Sequence, residues 1–70
     1  MALEEPHMNK LNAKQFKAIR LKLGWTHAET AKALGLSIRT ISAYENKERT
    51  VSQTAAILMW AFEEQKVGKP

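Results

Sequence analysis

Residues 26–46 read THAETAKALGLSIRTISAYEN, and this stretch decides the fold. Thr26 stands three residues before Glu29. At that spacing a hydroxyl accepts the backbone N–H three residues on, while the carboxylate accepts the cap's own N–H. The spacing predicts a helix over 27–34, closed by Gly35. Ser37 repeats the cap, and Leu36 and Ile41 occupy the two positions of a hydrophobic staple, so a second helix is expected over 38–46. Only Gly35-Leu36-Ser37 remains between them, a turn too short to let the two helices part.

Working outward, Gly24 lies two residues before Thr26 and can stop a preceding helix in the left-handed conformation. That first helix is expected to begin at Asn12, with Gln15 three residues on and a Leu11–Phe16 staple. Phe16, Ile19 and Leu23 form its apolar stripe, and Lys14, Lys17 and Lys22 lie off it. On the other side, Lys47-Glu48-Arg49-Thr50 is a charged connection, and Ser52 can cap a fourth helix reaching about Gln65. No strand pattern competes. The expected class is all-α: a compact four-helix domain over residues 10–66. Residues 1–9 are expected to be a disordered leader, with His7-Met8 reading as a junction ahead of a natural start at Met8, and residues 67–70 a frayed tail.

The chain has 70 residues and no cysteine, so no disulfide or thiolate metal site can reinforce a core near the lower size limit. Its hydrophobic content of 44% is too high for a wholly disordered chain. The net charge is +4, but its distribution is more telling. Residues 10–49 hold nine Lys/Arg against three Glu, an excess of six positive charges, and the chain contains no Asp. Such a balance favours a polyanionic partner, with a solvated basic face as the plain alternative. No apolar run approaches a membrane span and no secretory signal is evident, so a cytoplasmic location without membrane contact is expected. Catalysis is not expected either. His7 and His27 lack Cys or Asp partners for a metal site, no Gly-rich phosphate loop exists, and Ser37 and Ser52 are accounted for as caps. No cofactor, metal or small-molecule ligand is anticipated.

The fourth helix is apolar on two sides. Ala55, Leu58, Met59 and Phe62 share one face at helical spacing, and Ile57, Trp60 and Ala61 lie on the other. A surface helix needs only one apolar stripe. Either a small core absorbs the wide stripe, or the second face buries against a copy of itself. The second reading is preferred, with Trp60 as anchor and Ile57, Ala61 and Glu64 beside it.

Two capped helices joined by so short a Gly-containing turn are the signature of a helix-turn-helix, whose second helix can enter the DNA major groove. Residues Ile19 to Asn46 carry a fuller pattern: Arg20-Leu-Lys-Leu-Gly24-Trp25-Thr26, then Ala31, Gly35-Leu36-Ser37, Ile41 and Tyr44-Glu45-Asn46. This ordered set resembles the Cro/repressor-type (XRE-like) family and covers residues 14–49 without gaps. A lambda-repressor-like fold is what the resemblance implies. Ala31 is small where the paired helices cross. A bulky side chain there would cost about 1–3 kcal/mol by overpacking. Ile41 and Tyr44 turn inward, with Leu34 and Trp25 adjoining.

The resemblance further implies an internal ion pair, Arg20–Glu45, and base-reading positions at Ile38, Arg39, Ser42 and Ala43. Arg39 can bond guanine O6 and N7 bidentately, with a phosphate contact or free surface as alternatives. Ile38 departs from the usual polar residue and can pack on a thymine methyl or seal the helix start. Ser42 and Ala43 are small and read little, so DNA shape is expected to contribute. His27, in the first turn of the second helix, occupies a phosphate-contacting position, or is a passive surface residue. Thr40, Asn46, Lys47 and Arg49 are expected to reach phosphates. Lys47 replaces a frequent family glycine, and is strained if that backbone needs positive φ. A fifth helix common in relatives has no counterpart.

The function expected is sequence-specific recognition of double-stranded DNA by a homodimer. It would read an inverted-repeat operator and repress a phage or mobile-element promoter, including its own. The alternative is an antitoxin or other protein-binding module that grips a different protein through helix four, with DNA binding secondary.

Overall fold

The computed structural model describes residues 10–66 and 68. The expected leader, residues 1–9, and residues 67, 69 and 70 of the expected tail lie outside the described residues. Four helices follow in order: α1 (Ala13–Leu23), α2 (His27–Leu34), α3 (Ile38–Glu45) and α4 (Gln53–Gln65). There are no strands among the described residues, so the all-α, helix-turn-helix reading holds. The third helix closes one residue earlier than its sequence suggests, with Asn46 already outside it.

Each start is made by the side chain expected. Asn12 and Gln15 exchange the two bonds of a capping box, Gln15 N–H to Asn12 Oδ1 at 2.7 Å and Asn12 N–H to Gln15 Oε1 at 3.0 Å. Thr26 and Glu29 do the same at 3.1 and 2.8 Å. Ser37 accepts from Thr40 N–H, and Ser52 from Ala55 N–H, both at 3.1 Å.

The helix ends share one mechanism. Gly24 (φ 76°) and Gly35 (φ 71°) are left-handed. At each, the next residue donates back to the helix: Trp25 N–H to Arg20 O, and Leu36 N–H to Ala31 O. These are Schellman closures, which satisfy carbonyls the helix would leave open. The end of α3 repeats the pattern with Glu48 N–H on Ala43 O at 2.9 Å, but Lys47 occupies the left-handed position at φ 64°. The strain anticipated for Lys47 is therefore present.

The core gathers Leu11, Phe16, Ile19, Ala31, Ile41, Tyr44, Val51, Ala55, Ala56 and Met59. Both staple pairs enter it, Leu36 from its edge. Phe16 meets Tyr44 edge-on at 5.5 Å, and Trp25, itself buried, packs on Phe62 at 5.4 Å. Thr30 is fully buried, which its type alone would not suggest; its hydroxyl donates to Thr26 O at 2.9 Å. The Trp25 indole N–H is buried without a hydrogen-bond partner among the described residues. α2 packs chiefly on α3, and α1 bridges α3 and α4.

Helix α4 corrects one expectation. Trp60 is not free on an outer face: it is half-buried at the core edge, and its indole N–H donates to Lys10 O at 3.0 Å. Ala56, assigned to neither face beforehand, is fully buried. The small side chains Ala55 and Ala56 let α4 sink far enough for its buried arc to widen and take in part of Trp60. Ile57 stays 43% exposed, Ala61 half-buried and Glu64 exposed. No helix among the described residues is long and apolar enough to cross a membrane.

Candidate nucleic-acid interface

Helix α3 divides cleanly. Ile41 and Tyr44 are buried, while Ile38 (54% exposed) and Arg39 stand in solvent. A helix with its inner face locked into the core has no freedom to rotate, so its outer side chains are presented in one orientation. Ser42 is half-buried, and its hydroxyl accepts from the Asn46 side-chain amide at 3.3 Å. Ala43 departs from its expected place on the outer face: it is only 8% exposed. The chain after α3 folds back over it, with Glu48 and Arg49 N–H both directed at Ala43 O. Ala43 instead lines a shallow groove with Arg39, Thr40, Glu48 and Arg49.

The remaining cations and polar groups surround this surface unevenly. Lys47 and Arg49 are exposed, as is Asn46. Thr40 is half-buried, and its hydroxyl lies 2.9 Å from that of Ser37, within the cap of its own helix. Glu48, read from the sequence only as part of the charged connection, lines the same groove as Arg39 and Arg49.

Beneath the surface, Arg20 and Glu45 form the expected pair. Arg20 Nε–H donates to Glu45 Oε2 at 2.6 Å and Nη2–H to Oε1 at 3.1 Å. The third direction of the guanidinium is used as well, Nη1–H to Trp25 O at 2.8 Å. The two side chains are 10% and 7% exposed, so the fork is held largely out of water. It joins the end of α1, the turn after it and the end of α3.

His27 was not expected to share this cluster. Its Nε2 lies 3.1 Å from Glu45 Oε1, with the side chain 42% exposed. The tight turn at Gly24 brings His27 round to the same carboxylate that Arg20 holds. Burial alone would raise the Glu45 carboxyl. The Arg20 and His27 hydrogen bonds and charges outweigh that and hold it below its ordinary value of 4.5. No group of three or more His, Cys, Asp or Glu among the described residues is arranged to hold a metal ion.

A family model described as Helix-turn-helix matches residues 16–59, more than half of the chain. The match runs from Phe16 in α1 to Met59 in α4 and takes in every residue of the Arg20–Glu45–His27 cluster. No curated protein and no solved structure matches the chain significantly.

Proposed function

Since the chain belongs to the Cro/repressor-type (XRE-like) helix-turn-helix family of DNA-binding transcription regulators, we propose that it is a sequence-specific repressor acting as a homodimer on an inverted-repeat operator. The observation that carries this reading is the exposure of Ile38 and Arg39 at the start of α3 while Ile41 and Tyr44 are buried. Arg39 reads a guanine through O6 and N7, Ile38 packs on a thymine methyl, and Ser42 admits close approach. Lys47, Arg49, Asn46 and His27 contact phosphates and set the register. Thr40 plays a smaller part because its hydroxyl is engaged in the cap.

Few side chains per copy reach base edges, so two copies supply the specificity that one lacks. Pairing runs through the outer side of α4, where Ile57 leads and Ala61 and Glu64 flank it; Trp60 contributes only its exposed edge. Two recognition helices entering successive major grooves on one side of the duplex put the half-sites about 34–36 Å apart. Occupying a promoter of phage or mobile-element type, including its own, in the bacterial cytoplasm would repress by excluding polymerase.

Selection of bound sequences from random duplexes tests the reading as a whole. The expected outcome is a palindromic motif with that spacing, bound more weakly as salt rises. Arg39→Ala should flatten the preference at one position per half-site, while Lys47→Ala weakens all sequences alike. Absence of binding to any duplex at low salt would instead favour a module that grips a different protein through Ile57 and its neighbours.

A further inference from the structure

His27 stands where the proposed function puts a DNA phosphate, yet its geometry in the free protein sets a condition on that contact. The imidazole has two polar atoms. Nε2 is at 3.1 Å from Glu45 Oε1, and a carboxylate only accepts, so Nε2 carries the hydrogen and donates it. In a neutral ring Nδ1 is then a bare acceptor. A phosphate oxygen brought to it meets lone pair against lone pair. Only the imidazolium has a donor on each side: one for Glu45 and one for the phosphate.

Glu45 cannot readily give His27 up. Its carboxylate is 7% exposed, is gripped by Arg20 at 2.6 and 3.1 Å, and stays ionised at neutral pH because its carboxyl is held below the ordinary value. Arg20 of α1 lies behind Glu45 and is directed at that carboxylate and at Trp25 O. Glu45 comes from α3. Glu29, on the same helix as His27, turns its carboxylate back to Thr26 N–H. Glu63 of α4, the helix against which Trp25 packs, is bonded by Lys22 at 2.9 Å.

We propose that His27 engages DNA phosphate only as the imidazolium, so that operator binding takes up one proton at Nδ1 and Glu45 acts as the positioning residue that fixes the ring. The proton comes from solvent, and the new bond is Nδ1–H to a phosphate oxygen. This rests on the DNA-binding reading above, and it makes affinity for the operator fall as pH rises.

The probe is the duplex recovered by selection from random DNA, titrated with the full chain from pH 6 to pH 8 at fixed ionic strength. Wild-type affinity should fall by roughly tenfold across that range, within the tenfold per pH unit that one linked proton allows. His27→Gln has a neutral amide that can donate at any pH, so its affinity should change by less than about twofold from the same cause. His7, the other histidine of the chain, is common to both proteins and drops out of the comparison. Calorimetry of wild type in two buffers of different ionisation enthalpy should show proton uptake on binding, a readout that holds even if His27→Gln does not fold. Parallel pH profiles for the two proteins, or zero proton uptake by wild type, would overturn the proposal and leave DNA binding standing. A neutral ring swinging off Glu45 to use Nε2–H would give that result. Failure of wild type to bind any duplex at any pH would overturn both.

Discussion

At the residue scale the structure depends most on one carboxylate. Glu45 accepts from Arg20 twice and from His27 once, and Arg20 spends its remaining direction on Trp25 O. A charge pair held this far from water is costly to break, because the partner left behind is buried and unpaired. Arg20→Ala is therefore expected to cost about 3–5 kcal/mol in denaturant unfolding. Arg20→Lys should recover only part, since an ammonium cannot reproduce the planar fork. The sign of the acid response also follows. The folded carboxyl lies below 4.5, so its contribution to stability is present above the ordinary value and is lost as pH falls through the folded one. Thermal unfolding of wild type and Glu45→Gln between pH 3 and pH 7 checks this. The gap between them should be widest near neutrality and should narrow progressively as pH falls below about 4.5. A gap that stays constant would remove the ion pair as its source.

At the scale of elements, all four helices end on a left-handed residue, glycine at Gly24 and Gly35 but lysine at Lys47 and Lys66, and the closure by Lys47 lies beside the proposed DNA-facing surface. Gly24 and Gly35 take φ near 70° without a Cβ penalty, while Lys47 takes φ 64° with one. The left-handed conformation costs an L-residue roughly 1–2 kcal/mol. Lys47→Gly recovers part of that, offset by the greater freedom of glycine in the unfolded chain, for a net gain of up to about 1 kcal/mol. The same substitution removes an exposed cation beside α3, so DNA affinity should fall while the melting temperature rises. Calorimetric melting and a binding titration on one sample read both. Opposite signs would mark Lys47 as a residue kept for its charge. The sequence made this point legible through the departure from glycine alone. It could not show that the 46–49 segment then folds over Ala43, because that depends on where the chain must go to reach Val51 in the core.

At the scale of the molecule, the proposed dimer turns on the outer side of α4. The helix buries Ala55, Ala56 and Met59 and draws Trp60 half inside, which leaves Ile57 as the large apolar side chain in solvent. Ile57→Glu leaves the core untouched and should change the unfolding free energy of the isolated chain by no more than about 0.5 kcal/mol. In the proposed dimer it places like charges face to face. Sedimentation should then report monomer at concentrations where wild type is dimeric, and affinity for the full palindrome should fall toward that for a single half-site. If Ile57→Glu sediments and binds as wild type does, pairing uses another surface.

The sequence by itself determined the four helices, their N-terminal caps, the glycine stops of α1 and α2 and the inward face of α3, while the Arg20–Glu45 pair was legible only through the family resemblance. Each of these is set by residues within a turn of one another or by a spacing that one short motif preserves. Tertiary structure alone decided three things: that Ala43 is covered, that Trp60 is tied to Lys10, and that His27 shares Glu45 with Arg20. Those contacts join residues from different elements, and their distances depend on helix crossing angles. Such angles come from the packing of the whole core, to which Ala31, Ala55 and Ala56 contribute by being small.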